Sequence, residues 1–491
     1  MPRATNPGAK KPRDVKFEEY RAHDAIGLAN LVAKREVTPA DLLETALARL
    51  DQINGTLNAV ITDLRDDARR AAEQGLPNGP LAGVPFLIKD IGMMMKGVRT
   101  CAGSTLFRNA APAPVDSALV AAYRKAGLNL FGKTNTPEFG MAAVTEPVAF
   151  GPTRNPWNLS RTSGGSSGGT AAAIASGVVP ASHGNDGGGS IRIPAACCGL
   201  FGFKPSRGRV SPFPLGDVWG GFAVNHALTR SVRDSALLLD LSCQPVSSDS
   251  YWLAPPETPF LKEATRDPGK LRIGYIPRGL MPYEIEAPVA AATREAAMLC
   301  EALGHHIEET KIDADFADVA QKANAIAMSN VTVMLGLEAE RRGRPIERSE
   351  VEGITWLALE RGSKTSGTEV MQAFAALYAF NQTMAQAFER YDVLLMSTLG
   401  RLPVPLGELS TAEIDEKTYG DALYGFVPST QPFNICGAPA MSVPLAMSED
   451  GLPIGIQFAA KPGNEAVLFR LAGQLEKAAP WFDRYPKEPF V

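Results

Sequence analysis

Between residues 163 and 192 the chain carries two serine-bearing, glycine-rich loops on either side of one alanine-rich run. The first loop reads Ser163-Gly164-Gly165-Ser166-Ser167-Gly168-Gly169-Thr170, and the second Gly184-Asn185-Asp186-Gly187-Gly188-Gly189-Ser190-Ile191-Arg192. Glycine at this density serves a backbone that takes positive φ angles or lets another group touch bare N–H groups. A flexible Gly/Ser linker has a similar composition, but a linker is not followed directly by an apolar run such as the one from Ile193 to Phe203. Three consecutive glycines before Ser190 place N–H donors beside a hydroxyl, which is what a tetrahedral oxyanion needs next to its nucleophile. Ser190 is therefore the candidate nucleophile.

A serine hydroxyl needs a base to take its proton. The chain has five histidines, and only His183 is close in sequence; it falls at the entry to the glycine turn, where a structural role fits better. The other candidate is Lys89, which ends the apolar run Leu81-Ala82-Gly83-Val84-Pro85-Phe86-Leu87-Ile88. Desolvation at such a strand end lowers a lysine's pKa and makes it a usable base, although a solvated cap is the ordinary role of a lysine there. Two further patterns compete. Gly127 to Thr134 satisfies the P-loop pattern letter for letter, but a helix precedes it and its middle reads as a strand. Gly165-Ser166-Ser167-Gly168-Gly169 fits a nucleophile elbow centred on Ser167, yet the segment before it does not read as a strand.

The two serine loops, with Lys89 upstream, resemble the amidase signature family. The spacing from the middle serine to the nucleophile agrees with that family's Ser-cisSer-Lys triad (190 − 166 = 24), as do the blocks around Gly132-Lys133-Thr134-Asn135, Asn155-Pro156-Trp157, Lys204-Pro205 and Asn434 to Pro439. The resemblance runs from about residue 20 to about residue 478. It implies Ser190 as nucleophile, Ser166 as bridging serine on a cis peptide after Gly165, and Lys89 as base. It also implies an oxyanion hole from the N–H groups of Gly187, Gly188 and Gly189, with Asp186 and Arg192 bracing the loop, and no metal or organic cofactor. Two positions depart from the family's pattern: Ser397, where many members have proline, and Ala446, where many have glycine. Both bear on pocket shape and leave the triad intact, which disfavours a binding protein with a degenerate site.

The elements that must position these groups alternate. Helices are expected from Ala25 to Arg35, from the Thr38-Pro39 cap to about Ile53, from Arg65 to Gln74 and from Ser117 to Ala126. Strands are expected at Leu57 to Thr62, Val84 to Ile88 and Leu128 to Phe131. After a Pro- and Ser-rich loop (242–267) come a strand at Leu271 to Ile276, a helix from Pro288 to Leu303, long helices over about 316–390, strands at Tyr391 to Met396, Met441 to Leu445 and Ile454 to Ala459, and a last helix to Lys477. Alternation of this kind predicts an α/β layered fold with helices on both sheet faces. The resemblance implies one domain, residues 17–491, around a large twisted mixed β-sheet, with a helical substrate-pocket region at about 316–390. Gly140, Met141 and Ala142, the loop from Val210 to Phe222 and the helix around Ile326 to Met334 are the expected pocket walls.

Composition narrows the function. Of 491 residues, 45% are hydrophobic and 21% charged, with a formal net charge of −4, so no basic footprint for nucleic acid exists. Six cysteines without metal-ligand or disulfide spacing fit a reducing cytoplasm. Residues 1–16 carry five basic groups against Asp14 and read as a disordered tail, not a signal peptide, and no apolar run is long enough to span a membrane. The expected partner is a small-molecule amide or carbamate, with no nucleic acid and no membrane, and with a homodimer open. Block for block, the chain is most similar to the subgroup containing 6-aminohexanoate cyclic-dimer hydrolases and metagenomic urethanases, which implies an amidohydrolase and urethanase acting on small, largely apolar amides, carbamates or esters. The alternative is the glutaminase subunit of a tRNA-dependent amidotransferase.

Overall fold

Pro85–Lys89 is a strand buried at every residue, as its unbroken apolar run requires. It pairs in parallel with Asn129–Thr134, which pairs antiparallel with Val60–Asp63. In the computed structural model, which describes residues 15–488 and 490, this three-stranded sheet abuts the edge of an eight-stranded one. The larger sheet runs His306–Glu309, Arg272–Tyr275, Val393–Ser397, Pro453–Ala459, Ala440–Met447, Phe201–Lys204, Val224–Thr229 and Ala181–Asp186. Its first three strands are parallel and the rest antiparallel, so it is mixed. At the join, Ser182 Oγ donates to the Leu87 carbonyl at 2.9 Å, and the Lys89 N–H donates to His183 Nδ1 at 3.3 Å. Side chains thus replace a backbone ladder where the two sheets meet. The result is a single α/β domain.

The helices lie where their apolar faces find a sheet. Gly168–Ala175 is buried along its whole length, and its small side chains let it sit close to the strands. Gly169 shows why glycine starts it: a Cβ there would stand 2.4 Å from the Asn135 nitrogen and 2.6 Å from the Ala59 carbonyl oxygen. Pro39–Leu57 begins in a capping box between Thr38 and Asp41, and runs a turn beyond the expected Ile53 until Asn58 takes a left-handed cap. The strand expected from Leu57 accordingly starts at Val60. The helical region resolves into Phe316–Arg342, Gly353–Gly362 and Gly367–Arg390, and the first two of these contribute residues to the cavity that Ser190 lines.

Several elements were not foreseen: the strands Ala181–Asp186, Phe201–Lys204, Val224–Thr229 and His306–Glu309, and the helices Val232–Ser242 and Glu416–Phe426. His183 lies inside one of these strands and not at a turn. Of the expected N-terminal tail, residues 1–14 lie outside the described residues. Val15 is buried against the core, and its carbonyl accepts from Thr45 Oγ1 at 3.2 Å. No described helix is long and apolar enough to cross a membrane.

Candidate active site

The strand Pro85–Lys89 delivers the Lys89 side chain, fully buried, to the second serine loop. Its Nζ lies 2.6 Å from Ser166 Oγ and donates to Asn185 Oδ1 at 2.5 Å. Burial pushes the Lys89 ammonium well below the usual lysine range, against a smaller opposing pull from Asp186. A neutral amine held this way gives one N–H to Asn185 and keeps its lone pair for the Ser166 proton. Asn185 is a residue of the candidate site that the sequence did not single out. It stands next to Asp186 in the quoted motif, but nothing in a glycine loop shows which side chain reaches across to another sheet.

Ser166 follows a cis peptide from Gly165, and its oxygen lies close to Gly140, where a Cβ would come within 3.3 Å of it. Ser190 opens onto a cavity of about 250 Å³ lined also by Gly140, Met141, Ala142, Gly187 and Gly188. The glycine triplet is not uniform. The N–H groups of Gly187 and Gly188 meet no acceptor among the described residues, whereas the Gly189 N–H donates to Asp186 Oδ1 at 2.7 Å. The expected oxyanion hole is therefore corrected: Gly189 does not contribute a donor. Its role is conformational, with φ at +134° and Thr430 Oγ1 only 2.4 Å from where a Cβ would stand.

Asp186 is the hub that shapes this turn. It accepts from the Gly189 N–H, the Ile191 N–H and Asn434 Nδ2, and forms a two-pronged pair with Arg192 at 2.9 Å on both oxygens. Burial raises its pKa, but Arg192 beside it overcomes that and holds the carboxyl well below the usual carboxylate range. Arg192 in turn donates to the Thr430 carbonyl and to Gln457 Oε1, both at 2.8 Å. Both partners are fully buried, so Arg192→Met is expected to destabilise the fold by about 3–5 kcal/mol by stranding the Asp186 charge. Urea unfolding checks this: a midpoint unchanged from the parent would show that the pair does not hold the loop.

The competing patterns resolve otherwise. Ser167 is fully buried at the start of Gly168–Ala175 and donates to the Asn185 carbonyl at 3.4 Å, away from the cavity lining. The P-loop look-alike forms the strand Asn129–Thr134, and its Lys133 is buried in an ion pair with Asp90 at 2.5 Å. His183 does not line the cavity; burial pushes its imidazole down to about 3, and its Nδ1 accepts from the backbone. Behind the loop, burial brings Lys204 down to about 7, an ionisable neighbour that the sequence did not suggest.

The expected walls meet at the cavity: Gly140 to Ala142, Trp219 and Phe222 from the 210–222 loop, and Ala327 and Met328 from the long helix. The Trp219 indole lies on Gly187, where a Cβ would come within 2.8 Å of the ring. Gln431 and the helix Glu416–Phe426, which gives Tyr419, Leu423 and Tyr424, also line it and were not anticipated, whereas Ile354 and Leu357 fall within the helical pocket region expected at about 316–390. Ser397 and Ala446, the two departures from the family pattern, are strand residues outside it. No group of three or more His, Cys, Asp or Glu among the described residues could hold a metal ion.

Comparison with known proteins gives the family and its relatives. The Amidase family model matches residues 41–469. A 6-aminohexanoate-cyclic-dimer hydrolase from Paenarthrobacter ureafaciens is 37% identical over 94% of this chain and 96% of its own, and one from Pseudomonas sp. (strain NK87) is 38% identical with the same coverage. A solved 6-aminohexanoate cyclic dimer hydrolase superposes with a TM-score of 0.89 at 35% identity, over 95% of this chain and 99% of that one. A glutamyl-tRNA(Gln) amidotransferase component from Thermotoga maritima is a more distant neighbour, at 27% identity and a TM-score of 0.75 over 98% of this chain and 99% of its own.

Proposed function

The chain belongs to the amidase family, hydrolases that act on amides, and from that premise we propose that it cleaves small, largely uncharged amides, carbamates and esters through an acyl-enzyme on Ser190. The observation that carries this reading is the buried Lys89 amine 2.6 Å from Ser166 Oγ, beside a cavity that holds Ser190 and two unengaged glycine N–H groups. In the proposed route, Ser190 Oγ attacks the substrate carbonyl carbon while its proton passes through Ser166 to Lys89 Nζ. The carbonyl oxygen, now an oxyanion, is held by the Gly187 and Gly188 N–H groups. The same proton returns through Ser166 to the leaving amine or alcohol, and water attacks the acyl-enzyme by the mirror sequence. The leaving group keeps the proton that Ser190 gave up, and the attacking water replaces it on Ser190 through Ser166 and Lys89, so the three side chains end the cycle as they began it. Asp186 and Arg192 keep the Gly187–Ser190 turn in shape, and Asn185 keeps the lysine lone pair aimed at Ser166.

The lining supports a neutral, largely apolar substrate: apolar side chains, Met141, Ile193, Trp219, Phe222, Met328 and Leu423 among them, are the majority, and Glu416, the one carboxylate among the lining residues, is paired with Arg361. Cyclic amides fall within this class, a view supported by the relatives named as cyclic-dimer hydrolases. All six cysteines are free, which supports a reducing, cytoplasmic location. We take the unit to act on a small molecule, without nucleic acid, as one domain over residues 17–491. A matched set with one acyl group presented as anilide, carbamate and ester, together with a cyclic diamide and glutamine, tests the reading. The purified chain is expected to hydrolyse the matched set and ignore glutamine. Activity confined to glutamine would overturn it in favour of an amidotransferase glutaminase.

A further inference from the structure

The Ser190 cavity is not apolar on every side. Asn324 from the helix Phe316–Arg342, Tyr424 from Glu416–Phe426 and Gln431 from the loop after it form a continuous polar bank on its wall. Gln431 Nε2 donates to Asn324 Oδ1 at 3.2 Å, and Asn324 Nδ2 donates to the Tyr424 hydroxyl at 2.9 Å. The bank starts beside the reacting centre: Gln431 Cγ is 3.9 Å from where a Cβ on Gly188 would stand, and Thr430 Oγ1 donates to the Gly188 carbonyl at 2.5 Å. From Gln431 it continues through Asn324 to Tyr424. Of the other polar lining groups, Glu416 pairs with Arg361, and the Tyr419 hydroxyl is buried without a hydrogen-bond partner among the described residues and joins neither bond of the bank.

The hydrogen bonds within the bank leave a defined remainder. Gln431 keeps its carbonyl oxygen and one N–H, Asn324 keeps one N–H, and the Tyr424 hydroxyl, already an acceptor, keeps its proton. An acceptor and several donors therefore face an otherwise apolar space. A methylene chain satisfies neither kind, a carboxylate or an ester offers no donor, and an ammonium offers no acceptor. A secondary amide offers one of each. We propose that Gln431, Asn324 and Tyr424 form a second-amide subsite, so that the favoured substrates are bis-amides whose unreacted amide docks on this bank while the first is attacked. The proposal rests on the hydrolase reading for the position of the scissile carbonyl, but the subsite itself consists only of these three side chains.

A site built to hydrogen-bond a substrate group rejects the analogue lacking it, because its own polar groups are then left unpaired. Two neutral compounds are needed, with the same scissile amide and the same length, one carrying a second secondary amide and the other a two-carbon methylene unit in its place. The wild type is expected to favour the bis-amide by about tenfold or more in kcat/KM. In Gln431→Leu/Tyr424→Phe that preference should shrink to within about threefold, because the bis-amide loses far more of its rate than the mono-amide. A loss caused by general disturbance of the pocket would lower both rates and leave the ratio standing. Affinities of both compounds for Ser190→Ala, measured by calorimetry, give the same ratio without turnover. If neither compound is hydrolysed but that protein still binds the bis-amide preferentially, the hydrolase reading fails and the subsite stands. Equal binding of the two compounds, binding of neither, or a ratio that survives in the isosteric Tyr424→Phe and in Gln431→Leu would overturn the proposal.

Discussion

Replacing Ser190 by Ala is expected to lower kcat by at least about ten-thousand-fold while leaving the unfolding midpoint near that of the parent. Removing the nucleophile of a coupled catalytic unit costs nearly as much as removing the whole unit, because no other group forms the covalent intermediate. The fold should not respond, since the hydroxyl lines a cavity, makes no hydrogen bond among the described residues and leaves little void when removed. Ser167→Ala is the matched control. It deletes a buried hydroxyl whose one hydrogen bond is to the Asn185 carbonyl, so most of the activity should remain. Turnover above about one hundredth of the parent in Ser190→Ala, with a collapse in Ser167→Ala, would move the nucleophile to the elbow-like motif.

The local chemistry was readable in the chain because it is written in contiguous residues. Gly187, Gly188, Ser190, Asp186 and Arg192 lie within one turn, and Lys89 ends an apolar run that burial was bound to claim. Long periodic helices such as Phe316–Arg342 were equally legible, since period and length agree. What the sequence did not reveal depends on contacts between distant segments. Asn185 reaches Lys89 across 96 positions, and Gln431 reaches Asn324 across 107. Neither pairing leaves a trace in local spacing. Strands such as Ala181–Asp186 and Val224–Thr229 were missed because they are buried and yet carry polar residues, among them Ser182, His183 and His226, each of which makes a tertiary hydrogen bond. The assignment of Gly189 failed for a related reason. Three identical glycines look like three equivalent donors until Asp186 folds back onto one of them.

The Lys89 assignment carries the second large expected effect. Lys89→Ala is expected to lose at least about a thousandfold in kcat/KM, and Lys89→Arg to fare no better, because a guanidinium keeps its proton at every accessible pH. The lysine must be neutral to take the Ser190 proton, so the wild-type rate should rise with pH and level off above the lysine's pKa. Burial has moved that pKa well below the ordinary lysine value of about 10.4. Two other groups need separating from this limb. His183, pushed down to about 3, is already neutral across the range, whereas Lys204, brought to about 7, titrates within it behind Asp186 and Arg192. Lys204→Met is therefore the control that should keep the limb.

The most direct measurement is the pH profile of kcat/KM on one neutral amide for the wild type, Lys89→Arg and Lys204→Met. The account predicts a single rising limb in the wild type, the same limb in Lys204→Met, and a collapsed rate at every pH in Lys89→Arg. A near-wild-type Lys89→Arg, or a limb that disappears with Lys204 and not with Lys89, would contradict it and remove Lys89 as the base.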